Sequence, residues 1–581
     1  MILRLIGAIG VALFAAACAQ QPANPTQAAP AAPAAQAEPE DKAEPKPENL
    51  PKQELTEQLL FEFLVGEVAS QQGDYAVAVS AYMDLAQRTR DPRVARRAAE
   101  LALQGRYLGP ALKASRLWLE LEPDSVQARQ ALAGLLLSQG RLDEARQHLE
   151  VLIASEEPNV GAAFMHLNSM LARHPDRGSA LAFVRDLAKP YPRVPEAHFA
   201  VAQAALSANQ PELASAEIQE ALALRPDWEP AALFQGQLLQ QRTTNAAALE
   251  FYRGFLKRYP KSRDVRLAYA RTLVADRQYA DARKEFQVLV ADSEGNTDVL
   301  MAVGLLSLQL KDLDTAEATF KVLLDSDYRD PESVRYYMGQ LQEERKHYDE
   351  AELWYRSVGR GENYLSAQGK VAQMMAKQGR LDEGLAYLEQ VQVANNQQRA
   401  QLVMAEAQLL REAGRNQEAY DLLGKALEKL PNYPDLLYDH AMAAERLDQL
   451  DVLEANLRKL IQLKPDHAHA YNALGYTLAD RNMRLLEARD LIAQALKLAP
   501  EDPFIVDSMG WVEFRLGNFN QSLEYLHRAY RMRADPEIAA HLGEVLWAKG
   551  ERDEAKRVWQ AALKEYPDNE TLRRAVKRFI P

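Results

Sequence analysis

Cysteine is almost absent from this chain: the single instance is Cys18, so neither a disulfide nor a cysteine-based metal site can form within one molecule. Glycine is sparse, 27 among 581 residues, and the composition leans on Ala, Leu, Glu, Gln and Arg, all good helix formers. Positive charge is in deficit. The 69 Lys and Arg against 82 Asp and Glu leave a net charge of -13, which speaks against nucleic acid as the main partner, because phosphate binding needs a concentrated basic surface. Long apolar runs are missing too. The one such stretch, Leu5 to Ala17, is shorter than the roughly 20 residues needed to span a bilayer. There is no GxxxxGK(S/T) phosphate loop, no HExxH zinc helix and no nucleophile elbow. Gly359-Arg360-Gly361 is a lone GxG at a repeat junction that reads as a turn, and His467 and His469 point to different sides of a helix. No catalytic residue, metal, cofactor or small-molecule substrate is therefore expected.

What the chain does have is a period. A small residue falls at Gly66, Ala99, Ala133, Asn168, Ala202, Gly236, Ala270, Gly304, Gly339, Ala372, Ala407, Ala441, Gly475, Gly510 and Gly543, fifteen positions spaced 33 to 35 apart. A second small residue generally follows twelve positions later. Such a period signals a helix–turn–helix unit that stacks on its neighbours. In residues 228–261 the pattern predicts one helix from Trp228 to Gln241, a turn at Thr243, Thr244 and Asn245, and a second helix from Ala246 to Tyr259, broken by Pro260. Ala248 lies twelve after Gly236 because two antiparallel helices approach closely only where side chains are small; Tyr252 fills the space beside that contact.

These positions resemble the tetratricopeptide repeat. Gly66, Gly73, Ala78 and Tyr82 carry its pattern, as do Gly543, Gly550, Ala555, Trp559 and Pro567. The fourth copy has Asn168, the tenth has Gly384 where Ala is expected, and the thirteenth holds an extra residue near Met483. The resemblance implies an all-α, right-handed superhelical solenoid of about fifteen repeats over residues 54–567, closed at 568–581 by a capping helix from Asp568 to Ile580.

Residues 1–17 read as a secretion signal, with Arg4 ahead of the apolar run. Ala15-Ala16-Ala17-Cys18 resembles the bacterial lipobox, although Ala15 stands where that pattern prefers Leu. The resemblance makes Cys18 a lipidated (palmitate-type) mature N-terminus; cleavage by ordinary signal peptidase is the alternative. Ala19, rather than Asp, favours the outer membrane under the usual sorting pattern. Residues 18–53, rich in Ala, Pro, Gln and Glu, read as a disordered tether. At about 3 Å per residue it reaches on the order of 100 Å.

Functional residues are sought on the inner face of the first helices, six and three before and one and four after each small residue. In repeat 14 these are Phe504, Asp507, Trp511 and Phe514, aromatic where polar residues would suffice. His469, Asn472 and Tyr476 precede them and Trp547 follows. Aromatic side chains in a concavity are common anchors for protein partners; the alternative is that Trp511 and Phe514 pack between repeats. A basic cluster of Arg88, Arg90, Arg93, Arg96, Arg97 and Arg106 offers a second candidate, for an acidic partner or anionic lipid, or else an ordinary solvated face.

The stretches Ala470 to Leu478, 495–500, Asp507 to Val512 and His541 to Trp547 are similar to a proteobacterial group of large tetratricopeptide outer-membrane lipoproteins. That resemblance implies a periplasmic scaffold that binds and activates a carboxy-terminal processing protease and brings it substrates such as peptidoglycan hydrolases. An assembly factor for a pilus or secretion machine is the alternative.

Overall fold

The computed structural model describes residues 51, 53–155, 159–171, 174–242, 244–292 and 296–580. Among them are 31 α-helices and no strand. They form fifteen antiparallel pairs, from Glu57–Gln71 with Tyr75–Thr89 to Pro536–Lys549 with Arg552–Glu565, and one last helix, Glu570–Phe579. The signal, Cys18 and nearly all of the tether lie outside the described residues.

Local chemistry sets the helix starts. Asp91, Asp502 and Asp535 each accept a hydrogen bond from a first-turn amide while Pro92, Pro503 and Pro536 begin the helix. In the sixth repeat the helices are Glu229–Arg242 and Asn245–Arg258, one residue displaced from expectation at each end. Thr244 is the N-cap of the second and accepts from Ala247 N; Thr243 lies outside the described residues.

The small residues do what the period requires. A Cβ at Gly236 would fall on the Tyr252 ring, and one at Gly543 on the Trp559 indole. Gly384 has a physical reason as well. A Cβ there would stand 2.9 Å from the Ala372 carbonyl oxygen, because the two helices of repeat 10 approach backbone to backbone. The extra residue of repeat 13 is absorbed in a turn where both Asn482 and Arg484 adopt left-handed backbone. Gly359-Arg360-Gly361 is indeed a turn after a short helix, Tyr348–Arg356, with Gly359 N donating to Glu332.

The chain divides into two compact units, one up to Ala316 and one from Glu317. The first has Leu101, Leu136, Phe183 and Leu187 among its buried side chains; the second has Leu457, Leu474, Ile492, Leu526 and Trp559. In the second unit, Phe579 of the last helix stacks on Trp559, ring centroids 5.7 Å apart, and closes the terminal pair.

Candidate functional site

Three successive first helices, Ala468–Asp480, Pro503–Arg515 and Pro536–Lys549, carry the candidate residues of repeats 13 to 15. Their centre is a histidine that the inner-face rule does not select. His541 Nδ1 lies 2.8 Å from Asp507 Oδ2, and the Tyr476 hydroxyl lies 3.4 Å from His541 Nε2. The Trp511 indole stacks on the imidazole, centroids 4.3 Å apart at 24°. Burial alone would lower the His541 pKa, but the Asp507 carboxylate, with Glu537 and Glu544 nearby, holds it above the usual histidine value. Burial also raises Glu537 above the usual carboxylate range and Tyr476 above that of a free phenol.

Three polar atoms in this patch are buried without a hydrogen-bond partner: Asn472 Oδ1, Asp507 Oδ1 and Trp511 Nε1. Each such atom costs about 1–3 kcal/mol relative to its solvated form. The patch is thus well packed and incompletely satisfied, a combination that single-residue reasoning does not reach.

The aromatic row does not stand open in the groove, and Trp511 and Phe514 follow the alternative of packing between neighbours. Trp511 is only 4% exposed, because the next repeat places His541 flat against it. Phe514 is half-buried between Trp511 and Phe519. Trp547 belongs to another cluster, against Trp559 and Phe579 with Arg552 over its ring. Phe504 is the exposed ring of the group, with the Arg533 guanidinium 5.1 Å from its centroid. His469 is largely exposed, 3.8 Å from Asp502. Asp507, Trp511 and Tyr476 are therefore brought together, Asn472 and Phe514 flank them on adjacent turns, and His469 and Trp547 stand apart. One signal for His541 was present in the sequence: it lies 34 residues after Asp507, one period on.

The basic cluster also changes character. Arg88 pairs with Glu62 at 2.6 Å, Arg90 with Glu120 at 2.8 Å, Arg93 with Asp91 at 2.8 Å, Arg96 with Glu100 at 2.8 Å and Arg97 with Glu67 at 3.5 Å. Carboxylates from neighbouring helices (Glu62, Glu67, Glu120) and from the same helix and its cap (Glu100, Asp91) neutralise the patch, and the reading as a solvated face prevails for these five. Arg106 sits in a turn in left-handed backbone. Among the described residues no group of three His, Cys, Asp or Glu is placed to hold a metal, and no helix is long and apolar enough to cross a membrane.

The family model for the tetratricopeptide repeat matches residues 233–297, 267–333 and 508–570. A TPR repeat-containing protein of Pseudomonas aeruginosa is 33% identical over 492 residues, 84% of this chain and 82% of that protein. Among solved structures, the chain is similar to a thermophilic TPR protein of Thermus thermophilus (24% identity, 31% of this chain and all of that one, TM-score 0.29). It is also similar to MamA of Desulfovibrio magneticus (18%, 31% and 99%, TM-score 0.26), and to the Cut9–Hcn1 hetero-tetramer of the APC/C (14%, 85% and 97%, TM-score 0.29). Fifteen helix pairs at a 34-residue period, with this relative and this repeat model, place the chain in the tetratricopeptide-repeat proteins, protein-binding scaffolds that typically carry no catalytic activity of their own.

Proposed function

We propose that this chain is a scaffold held on the periplasmic side of an outer membrane by a lipid on Cys18. There it binds and activates a carboxy-terminal processing protease and presents protein substrates to it, peptidoglycan hydrolases among them. The observation that carries the reading is the combination in one chain of a lipobox-like Cys18, a Pro-rich stretch and fifteen protein-binding repeats. A Gram-negative relative that aligns over 84% of the chain supports it. Holding protease and substrate on one body raises their effective concentration, which accelerates encounter without any new catalytic group.

Co-purification of the full chain from detergent-solubilised membranes tests this. A carboxy-terminal processing protease and a cell-wall hydrolase should be recovered together, and hydrolase cleavage should be faster with the scaffold than without it. Recovery of pilus or secretin components with no protease would sink the adaptor reading in favour of an assembly factor.

A further inference from the structure

In several repeats the residues five before and two after the small residue pack against the preceding repeat. Ala231 and Leu238, Val265 and Thr272, Leu436 and Ala443, Ile505 and Val512, and Ile538 and Val545 are all buried. What covers them is the second helix of the preceding pair. Ala231 clusters with Ile218 and Ala221, Leu436 and Ala443 with Ala419 and Leu423, and Ile538 with Ala529. The first repeat has the same face, and among the described residues no helix pair precedes it. On its first helix, Glu57–Gln71, the corresponding residues are Phe61 and Val68, exposed by 66% and 49%; Leu60 and Leu64 extend the stripe at 43% and 51%. At the other end of the chain the terminal pair is closed by Glu570–Phe579.

We infer that the Leu60–Phe61–Leu64–Val68 face of the first repeat is a docking surface for an amphipathic helix of a partner protein, one with a small-residue apolar face and basic flanks. The inference rests on the reading of the chain as a protein-binding scaffold, and it names the end of the scaffold that is used. Four observations select this occupant. The surface corresponds to the interface that the fold builds at the repeats named above, where the mate is a second helix presenting Ile218 and Ala221, Ala419 and Leu423, or Ala529. The sequence just upstream is ill-suited to that helix, since Pro33, Pro39, Pro45, Pro47 and Pro51 fall no more than six residues apart. A second copy offers only another first-helix face at this end and a closed pair at the other, so it lacks the second-helix face that fits. At the N-terminal rim Glu54 and Glu57 stand with no Lys or Arg from Gln53 to Gln71, whereas Glu62 and Glu67 are paired with Arg88 and Arg97. The two rim carboxylates repel anionic lipid and favour a helix with basic residues at that edge.

The test places a benzophenone-bearing residue at Phe61 in the full chain, expressed in its own host. A second variant carries it at the exposed Phe504 as a control. Irradiation followed by mass spectrometry of the adducts should map the Phe61 adduct to a segment of a different polypeptide with helical apolar spacing and Lys or Arg at its edges. Phe61→Ser with Val68→Ser should then lower co-purification of that polypeptide at least tenfold, with the helical circular-dichroism spectrum unchanged. Adducts at Phe61 only to this chain itself, only to lipid, or to an acidic or non-helical segment would overturn the inference, as would undiminished co-purification by the double variant. Protein adducts at Phe504 with none at Phe61 defeat the end-face inference and leave the scaffold reading standing. No protein adduct at either position, together with no co-purified protein, defeats both.

Discussion

Trp559→Ala is the substitution that best tests how the second unit is held together. The indole is fully buried and occupies the notch left by Gly543, where a Cβ would collide with it. Its Nε1 donates to the Ala540 carbonyl oxygen at 3.4 Å, and its ring is stacked by Phe579 and flanked by Trp547. Removing a buried Trp costs about 3–5 kcal/mol when the site cannot collapse. Collapse is blocked here because the opposing residue is already glycine. In a stacked array the loss is local, since each repeat contacts only its neighbours. The last pair and the closing helix, 536–579, should therefore open as a unit while the earlier repeats keep their protection. Native-state hydrogen exchange reads this directly: amides of Pro536–Lys549 and Arg552–Glu565 should lose protection by about two to three and a half orders of magnitude, since about 1.4 kcal/mol is a factor of ten. Loss of less than tenfold in those helices, or an equal loss in Ala468–Asp480 and the helices before it, would refute the reasoning.

Four further outcomes follow from the geometry. His541 and Glu537 both have folded pKa values above their unfolded ones, so the native state binds more protons and stability falls as pH rises; His541 contributes fully below about pH 6.5 and loses its contribution as pH passes its folded value. Urea unfolding of the wild type should weaken from pH 5.5 to 8, and Asp507→Asn should flatten that slope; equal slopes would dismiss the pair. Glu406, buried at 4% exposure, is raised by burial and Glu389 from 4.5 to about 7, a difference of about 2.5 units or roughly 3 kcal/mol against the charged form. Glu406→Gln should therefore be the more stable protein at pH 8 and lose that advantage by pH 4, as denaturant midpoints will show. Gly236→Ala should cost about 1–3 kcal/mol by forcing a Cβ onto the Tyr252 ring, measured by the same unfolding curves. Cys18→Ser should move the chain from the membrane pellet to the soluble fraction in a fractionation immunoblot; retention in the pellet would remove the lipid from the proposal.

The fifteen pairs were legible in the sequence because one geometric requirement, a small residue where two helices cross, recurs at a fixed spacing and leaves no freedom of register. Even the departures obeyed it: Gly384 stands where the Ala372 backbone comes closest. The candidate site was legible only in part. A rule that assigns faces by position within one repeat places Trp511 inward-facing and open, and it cannot see that the following repeat sets an imidazole on that ring. The arginines failed for a related reason. Arg88 and Arg90 find their carboxylates at Glu62 and Glu120, 26 and 30 residues away, so a sum over neighbours in sequence counted charge that the stack cancels.

Periodicity thus carries information of two kinds. Where the pattern is kept, burial of the contact positions follows from the presence of a neighbour on each side, and a residue there says little about function. Where the stack ends, the same positions change meaning without changing character. Phe61 and Val68 are as apolar as Ile538 and Val545, yet the first pair is exposed because no helix pair among the described residues precedes it. The last pair needed an additional helix to avoid that exposure, and the sequence provides one whose Phe579 closes over Trp559. An apolar first-helix face left without such a cover carries a standing cost of roughly 25 cal/mol for every Å² of apolar surface it leaves in water. A helix that covers it recovers this term, which is why the physical asymmetry between the two ends points to a partner at the first.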